Sequence, residues 1–395
     1  MKVLYVLFAL DILNISIPIP IFGVFIRSLG GTPSTLGIIN SCCALVGLLL
    51  NPIVGSLSDQ IGRRGLFIKC LTANLVGNVL LTFFSNSLPL VFVSRLIAAF
   101  GSPCNILLRT IVTDIYKTTE EKKAFFDKAA PVLSISFLGG TLLSGFLSEL
   151  NNGFLKVFML LVVANSLSVY IASTILPIDD KPQKPTENTS ITTKALKELK
   201  SAAVNIKTIS WPRYWDIFLI KGCYDFSMTI ILSNLGLILL NEFGIQGRKM
   251  GYVFLFTGVS GVASNILKMK LKKVFDKIPD YNKVIYAGTV LFITYIGLSS
   301  AGSIYTFMFF LVALCMTRSF IETTLTEIIT TKTQETDKGK VIAAFENLSP
   351  LAFFVVPATS GFVAEIFGQR ILVASAAIPI SVAILLANSR KNKTD

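Results

Sequence analysis

The chain has 395 residues, 52% of them hydrophobic and only 15% charged, with a mean hydropathy of +0.68. A soluble domain carries about a quarter charged residues, so a water-solvated globule is excluded and a polytopic membrane protein with the lipid bilayer as its outer solvent is expected. The net charge of +13 would suggest a nucleic-acid partner in a soluble chain, but the basic residues gather in particular loops and no nucleic-acid module is present, so none is expected.

A helix needs about 20 apolar residues to cross the hydrocarbon core. Twelve stretches qualify, at 3–26, 35–57, 66–84, 90–113, 129–148, 154–176, 216–240, 250–267, 284–302, 304–329, 340–363 and 370–388. The first carries Asp11 and Asn14, then Ile17-Pro18-Ile19-Pro20. Its apolar run continues to Ile26 with no small-residue cleavage site, so it reads as a span and not as a signal peptide. Between the second and third stretches lies Gly55-Ser56-Leu57-Ser58-Asp59-Gln60-Ile61-Gly62-Arg63-Arg64, whose two glycines suit a tight turn. The fourth holds Arg95 and is followed by Asp114. The fifth holds Gly140-Thr141-Leu142-Leu143-Ser144-Gly145 and ends at Glu149.

Residues 177–215 form the one long gap, dividing the chain into a six-helix half (1–176), a linker (177–215) and a second six-helix half (216–395). The linker starts polar and proline-containing. Leu196, Leu199, Ala203, Ile206 and Ile209 then recur at helical spacing among Lys194, Lys197, Lys200 and Lys207, which predicts a basic amphipathic helix on the membrane surface; a partner-binding helix is the alternative. Trp211, Tyr214 and Trp215 mark the interface before the seventh span. That span carries Lys221 and Asp225, the tenth Arg318 and Glu322, and the eleventh Glu346 and Asn347.

The halves repeat. Ser144 to Glu149 reads SGFLSE, and Ser360 to Glu365, 216 residues on, reads SGFVAE; Gly30 and Gly37 match Gly244 and Gly251 at an offset of 214. A duplicated six-helix unit places a substrate site between halves near the midplane. Twenty-six Lys and Arg fall in one set of loops and four in the alternate set, which predicts both termini in the cytoplasm. The sequons at Asn188 and Asn392 then escape glycosylation.

An ionisable side chain at the bilayer centre costs about 2.5–3.5 kcal/mol, so each is a candidate for substrate binding or coupling: Asp11, Asn14 beside it, Arg95, Lys221, Asp225, Arg318, Glu322, Glu346 and Asn347. Asp11 and Asp225 lie 214 apart, at equivalent positions of the repeat, and Lys221 is one helical turn from Asp225. Histidine is absent, which removes the usual zinc and haem ligands, a Ser-His-Asp triad and a histidine proton relay. Proton coupling, if present, must then run through carboxylates, with Arg95 or Lys221 as the neighbouring cation. The six cysteines lie inside apolar segments without metal-ligand spacing and read as small buried hydrophobes. No G-x-x-x-x-G-K loop occurs. Neither an enzyme nor an ATP-driven pump is expected, and neither a metal nor a cofactor.

The decapeptide from Gly55 to Arg64 resembles the loop motif G-x-L-x-D-x-x-G-R-R of the major facilitator superfamily, matching at Gly55, Leu57, Asp59, Gly62 and Arg63, with Arg64 extending the basic pair. Asp11 with Pro18 and Pro20 is similar to a first-helix pattern of its tetracycline- and multidrug-efflux-like branch and related orphan animal carriers. Leu90 to Gly101 resembles the fourth-helix motif R-x-x-Q-G, with Ala98 and Ala99 in place of Gln and Gly. The fifth-helix antiporter motif G-P-x-x-G-G is degraded at Gly140 to Gly145. The resemblance implies an all-α membrane protein of twelve transmembrane helices in two pseudo-symmetric six-helix bundles, working as a monomer. It implies transport of a small organic solute by alternating access, secondary active or facilitative. It also implies an inner gate in which Asp59 meets the N-terminus of the eleventh span and Arg63 pairs with Asp114. A non-transporting receptor or scaffold on the same fold is the alternative.

Overall fold

The computed structural model describes residues 2–176, 200, 207–275, 277–334 and 337–394. The amphipathic helix expected around 194–209 lies almost wholly outside the described residues. All regular structure among the described residues is helical. Twelve helices are long and apolar enough to cross a bilayer. Spans 1 to 6 are Lys2–Ser28, Pro33–Val54, Arg63–Phe83, Leu88–Ile115, Thr119–Ser148 and Gly153–Thr174; spans 7 to 12 are Trp211–Phe243, Gly247–Leu271, Asp280–Ser300, Ile304–Lys332, Lys338–Phe367 and Gln369–Lys391.

Local chemistry sets the ends. Span 5 begins at Thr119, ten residues before its apolar run, because Thr118 and Glu121 form a capping box: the Thr118 hydroxyl accepts from the Glu121 N–H and the Glu121 carboxylate from the Thr118 N–H, both at 3.3 Å. Two otherwise orphaned donors are thereby satisfied. Span 7 begins at Trp211, with Pro212 in the first turn where its missing N–H costs nothing. The aromatic set Trp211, Tyr214 and Trp215 is therefore part of the helix and not an interfacial stretch before it. At 33 residues this helix is about 50 Å long, and it projects beyond a hydrocarbon core of about 30 Å.

Four of the described spans are each divided into two helices. Span 1 comprises helices Lys2–Ser16 and Ile19–Ser28, separated at Pro18, which lacks an N–H to continue the ladder. Span 4 comprises Leu88–Ala99 and Cys104–Ile115, with Pro103 at the second start. Span 11 breaks at Asn347 and span 12 at Ala376.

The helices group into two compact units. One holds residues 1–31, 42–203 and 246–252; the other holds 32–41, 204–245 and 253–395. In the first, span 1 packs on spans 5 and 6, and span 3 on spans 4 and 6. In the second, span 7 packs on spans 11 and 12, and span 9 on spans 10 and 12. The two schemes are identical under a shift of six spans, as a duplicated sequence requires. The first core is built around Phe8, Phe67, Leu108 and Phe125, with Tyr5 stacked on Phe125 at 4.5 Å. The second is built around Tyr214, Tyr295, Phe307 and Phe345. Large apolar side chains cover the outside as well: Tyr305 is 84% and Ile135 70% exposed, a distribution suited to lipid and not to water. Packing between spans uses small residues. A Cβ on Gly77 of span 3 would run into the backbone of Ala98 in span 4, so the alanine replacing the motif's glutamine sits in a close helix contact.

Candidate functional site

In the first unit, Asp11 is held from span 4. Its Oδ2 accepts a hydrogen bond from Asn105 Nδ2 at 3.1 Å, and Asn105 Oδ1 accepts from Arg109 Nε at 2.8 Å. Asn105 and Arg109 are one turn apart on the same helix, so the amide is gripped between a carboxylate and a guanidinium. Asn14, one turn beyond Asp11, accepts from Asn165 of span 6 at 2.9 Å.

Arg95 does not serve as the cation beside Asp11. Its guanidinium lies over the Phe22 ring, 4.9 Å from the centroid. The reason is register: Arg95 precedes Arg109 by 14 residues, roughly 20 Å along a helix, on the far side of the break before Pro103. Arg109 holds the place that the sequence reading gave to Arg95. The signal was available, since Arg109 is itself an ionisable residue within the apolar stretch 90–113.

In the second unit, Lys221 Nζ lies 3.1 Å from Asp225 Oδ2, with the two side chains only 4% and 9% exposed. Ser349 of span 11 completes a triangle. Its hydroxyl donates to Asp225 Oδ2 at 2.9 Å and accepts from Lys221 Nζ at 3.2 Å. The ammonium also sits 5.1 Å from the Phe345 ring centroid, a stabilising cation–π distance. Each of the two repeat-related carboxylates is thus gripped by polar side chains of its own unit.

Arg318 and Glu322 approach only to 3.9 Å and are about half exposed. Tyr224 donates to the Arg318 carbonyl at 3.1 Å. Neighbouring polar residues extend this face across spans 8 and 10: Ser319 donates to Asn265 Oδ1 at 2.5 Å, and Lys268 donates to Thr323. Ser319 and Thr323 are the repeat equivalents of Asn105 and Arg109, 214 residues on. Glu346 and Asn347 stand at the break in span 11, exposed.

The decapeptide folds differently from its reading as a double-glycine turn. The helix of span 2 continues to Ile61, so the backbone at Gly55 is helical. The turn rests on Gly62 alone, at φ 94°, a conformation that suits glycine. Arg63 Nη1 pairs with Asp114 Oδ2 at 2.7 Å and donates to the Thr110 carbonyl at 3.2 Å. Arg64 donates to the Ala172 carbonyl at 3.2 Å and to the Ser173 carbonyl, capping the C-terminal end of span 6 where a cation is favoured. The side chain of Asp59 lies outside the described ones.

The family profile of the Major Facilitator Superfamily matches residues 4–324, well over half of the chain. The chain belongs to the Major Facilitator Superfamily. Solute carrier family 22 member 18 of Rattus norvegicus is 23% identical over 378 residues, covering 93% of this chain and 88% of that protein. Multidrug resistance protein 1 of Bacillus subtilis is 24% identical over 259 residues, covering 65% and 62%. Among solved structures, the human organic anion transporter MFSD10 (TETRAN) covers 98% of both chains at a TM-score of 0.66 and 16% identity. A bacterial homologue of the human lysosomal transporter Spinster covers 98% of this chain and 95% of its own, at 0.75 and 11%. These structures share the superfamily fold. The protein is an integral, multi-pass membrane transporter of small solutes and not an enzyme.

Proposed function

We propose that this superfamily member carries a small organic solute by proton-coupled alternating access, with Asp11 and Asp225 as the coupling carboxylates. One observation carries the reading: two carboxylates at equivalent positions of spans 1 and 7, each inside an apolar span, each held by neutral and basic side chains of its own unit. Such groups are costly to place in a membrane for packing alone. The drug-resistance and organic-anion relatives support an organic solute. The loop charges support cytoplasmic termini, and Arg63–Asp114 with Asp59 is the inner gate in this reading. The protein works as a monomer.

The test is proton movement in proteoliposomes holding a pH-sensitive dye, challenged with a panel of small organic anions and cations. Wild type should move protons when one panel solute is added, and Asp11→Asn or Asp225→Asn should abolish this while leaving exchange of that solute. Solute flux without pH dependence in wild type would replace coupling by facilitated diffusion. Arg95, Arg318 and Glu322 would then be the substrate-binding candidates.

A further inference from the structure

The repeated hexapeptides ending in Glu149 and Glu365 take no part in the coupling groups, yet the structure uses both in the same way. Glu365, near the end of span 11, accepts hydrogen bonds from the N–H of Ser34 at 3.3 Å and from its hydroxyl. Ser34 is in the first turn of span 2. Glu149, just after span 5, accepts from the N–H of Arg248 at 2.8 Å and from its guanidinium. Arg248 is in the first turn of span 8. Ser34 and Arg248 are 214 residues apart, the spacing of the repeat. Each glutamate therefore sits at the positive end of a helix, bound to a backbone donor that the helix itself cannot satisfy.

Beneath each glutamate the helices meet backbone to backbone. A Cβ on Gly361 would come within 2.6 Å of the Pro33 carbonyl oxygen, and one on Gly37 would run into Pro357. In the other copy, a Cβ on Gly145 would lie 3.0 Å from the Gly247 carbonyl oxygen, and one on Gly251 3.2 Å from the Thr141 carbonyl oxygen. Ser41 adds a hydrogen bond to the Ala358 N–H at 2.9 Å. These contacts are why residues 32–41 group with the second unit and 246–252 with the first. Both lie at the span ends opposite the loop containing Gly62.

We infer that Glu149 and Glu365 are paired gate residues for transport, each a latch that holds the first turn of span 8 or span 2 and releases it once per cycle. The chemistry fits a releasable contact. Both carboxylates are exposed, so they exchange the helix-end bond for water at small cost. Below them glycine faces backbone, joined by the Ser41 hydrogen bond in one copy and by the Phe146–Tyr252 ring contact at 5.9 Å in the other. Each latch is a single carboxylate on a single turn.

The inference is tested without a known substrate, through the reactivity of thiols beneath the latches. Full-length protein with its six native cysteines replaced by serine or alanine carries Ile39→Cys or Met250→Cys, both positions buried here, and is labelled with N-ethylmaleimide in proteoliposomes. Glu365→Gln should raise labelling at position 39 at least several-fold, and Glu149→Gln should do so at position 250. Gly37→Ala, which wedges the first contact, should mimic Glu365→Gln. A disulfide between Ser34→Cys and Glu365→Cys should suppress labelling at 39, with recovery on reduction. Labelling unchanged by Glu365→Gln, Gly37→Ala and the disulfide alike would mean the contact is static and overturn the gate assignment. Thermal melting of each variant guards against misfolding: a raised rate at unaltered melting temperature supports release of the latch.

Discussion

Lys221 and Asp225 show how much a single buried residue can matter. Removing one partner of a buried ion pair leaves an uncompensated charge and costs about 3–5 kcal/mol. Lys221→Met should therefore lower the melting temperature of the purified protein sharply, and Lys221→Met with Asp225→Leu should recover most of the loss; equal destabilisation by single and double variants would show that the pair is not the source. Glu149 lends itself to a pH experiment. The side-chain hydrogen bond from Arg248 holds its carboxyl below the usual range, aided by the Arg248 N–H and the charge of Lys249. A depressed carboxyl contributes its stabilisation above the ordinary glutamate range and loses it as pH falls through the lowered value. Labelling of Met250→Cys, taken as its ratio to labelling in the Glu149→Gln background so that the common loss of thiolate on acidification cancels, should stay flat from neutral pH into the ordinary carboxylate range and rise only in stronger acid. Single residues were partly legible in the sequence. Asp11, Lys221 and Asp225 stand out as charges in apolar runs. Asn105 and Ser349 do not, because an amide or hydroxyl is unremarkable in a span until folding brings it to a carboxylate.

At the level of elements, hydropathy located all twelve spans because lipid imposes one rule on each. It could not locate breaks or helix extensions, which depend on hydrogen bonding rather than polarity. Span 5 is the clear case. Its first ten residues include Glu120, Glu121, Lys122, Lys123, Asp127 and Lys128, too polar to count as membrane, yet the capping box at Thr118 starts the helix there. Thr118→Ala should cost about 1 kcal/mol and speed amide exchange in residues 119–123, with little change at the far end of the helix. Uniform acceleration along span 5 would mean the cap does not govern that end. The decapeptide shows the converse. Its motif was plain, but only one of its two glycines turns the chain, because the span 2 helix outlasts its apolar stretch.

For the whole molecule, duplication was visible in the sequence at a few glycines, one hexapeptide and a pair of aspartates. The structure extends it to the packing of spans 1, 3, 4, 5 and 6 and of their counterparts 7, 9, 10, 11 and 12, which no local pattern reveals since contacts between spans leave no spacing signature. The gate reading of the decapeptide is tested at this scale. Asp59→Asn should weaken the closed inner gate by about 0.3–2 kcal/mol, the range for an anion at a helix end, and raise labelling of a cavity cysteine by a cytoplasmic reagent; unchanged labelling would remove Asp59 from the gate.

Residues 32–41 and 246–252 each complete a unit built mainly from the opposite half of the sequence. Neither half of the polypeptide, translated alone, contains all of one unit. A gene cut within the codons for residues 181–190 should thus behave as a complementation pair. The fragments, produced separately, should be degraded or aggregate. Produced together they should co-purify, and the yield of complex should fall when Glu149→Gln and Glu365→Gln are both present. Equal yield of stable fragments made singly would show that the exchanged segments are dispensable to folding.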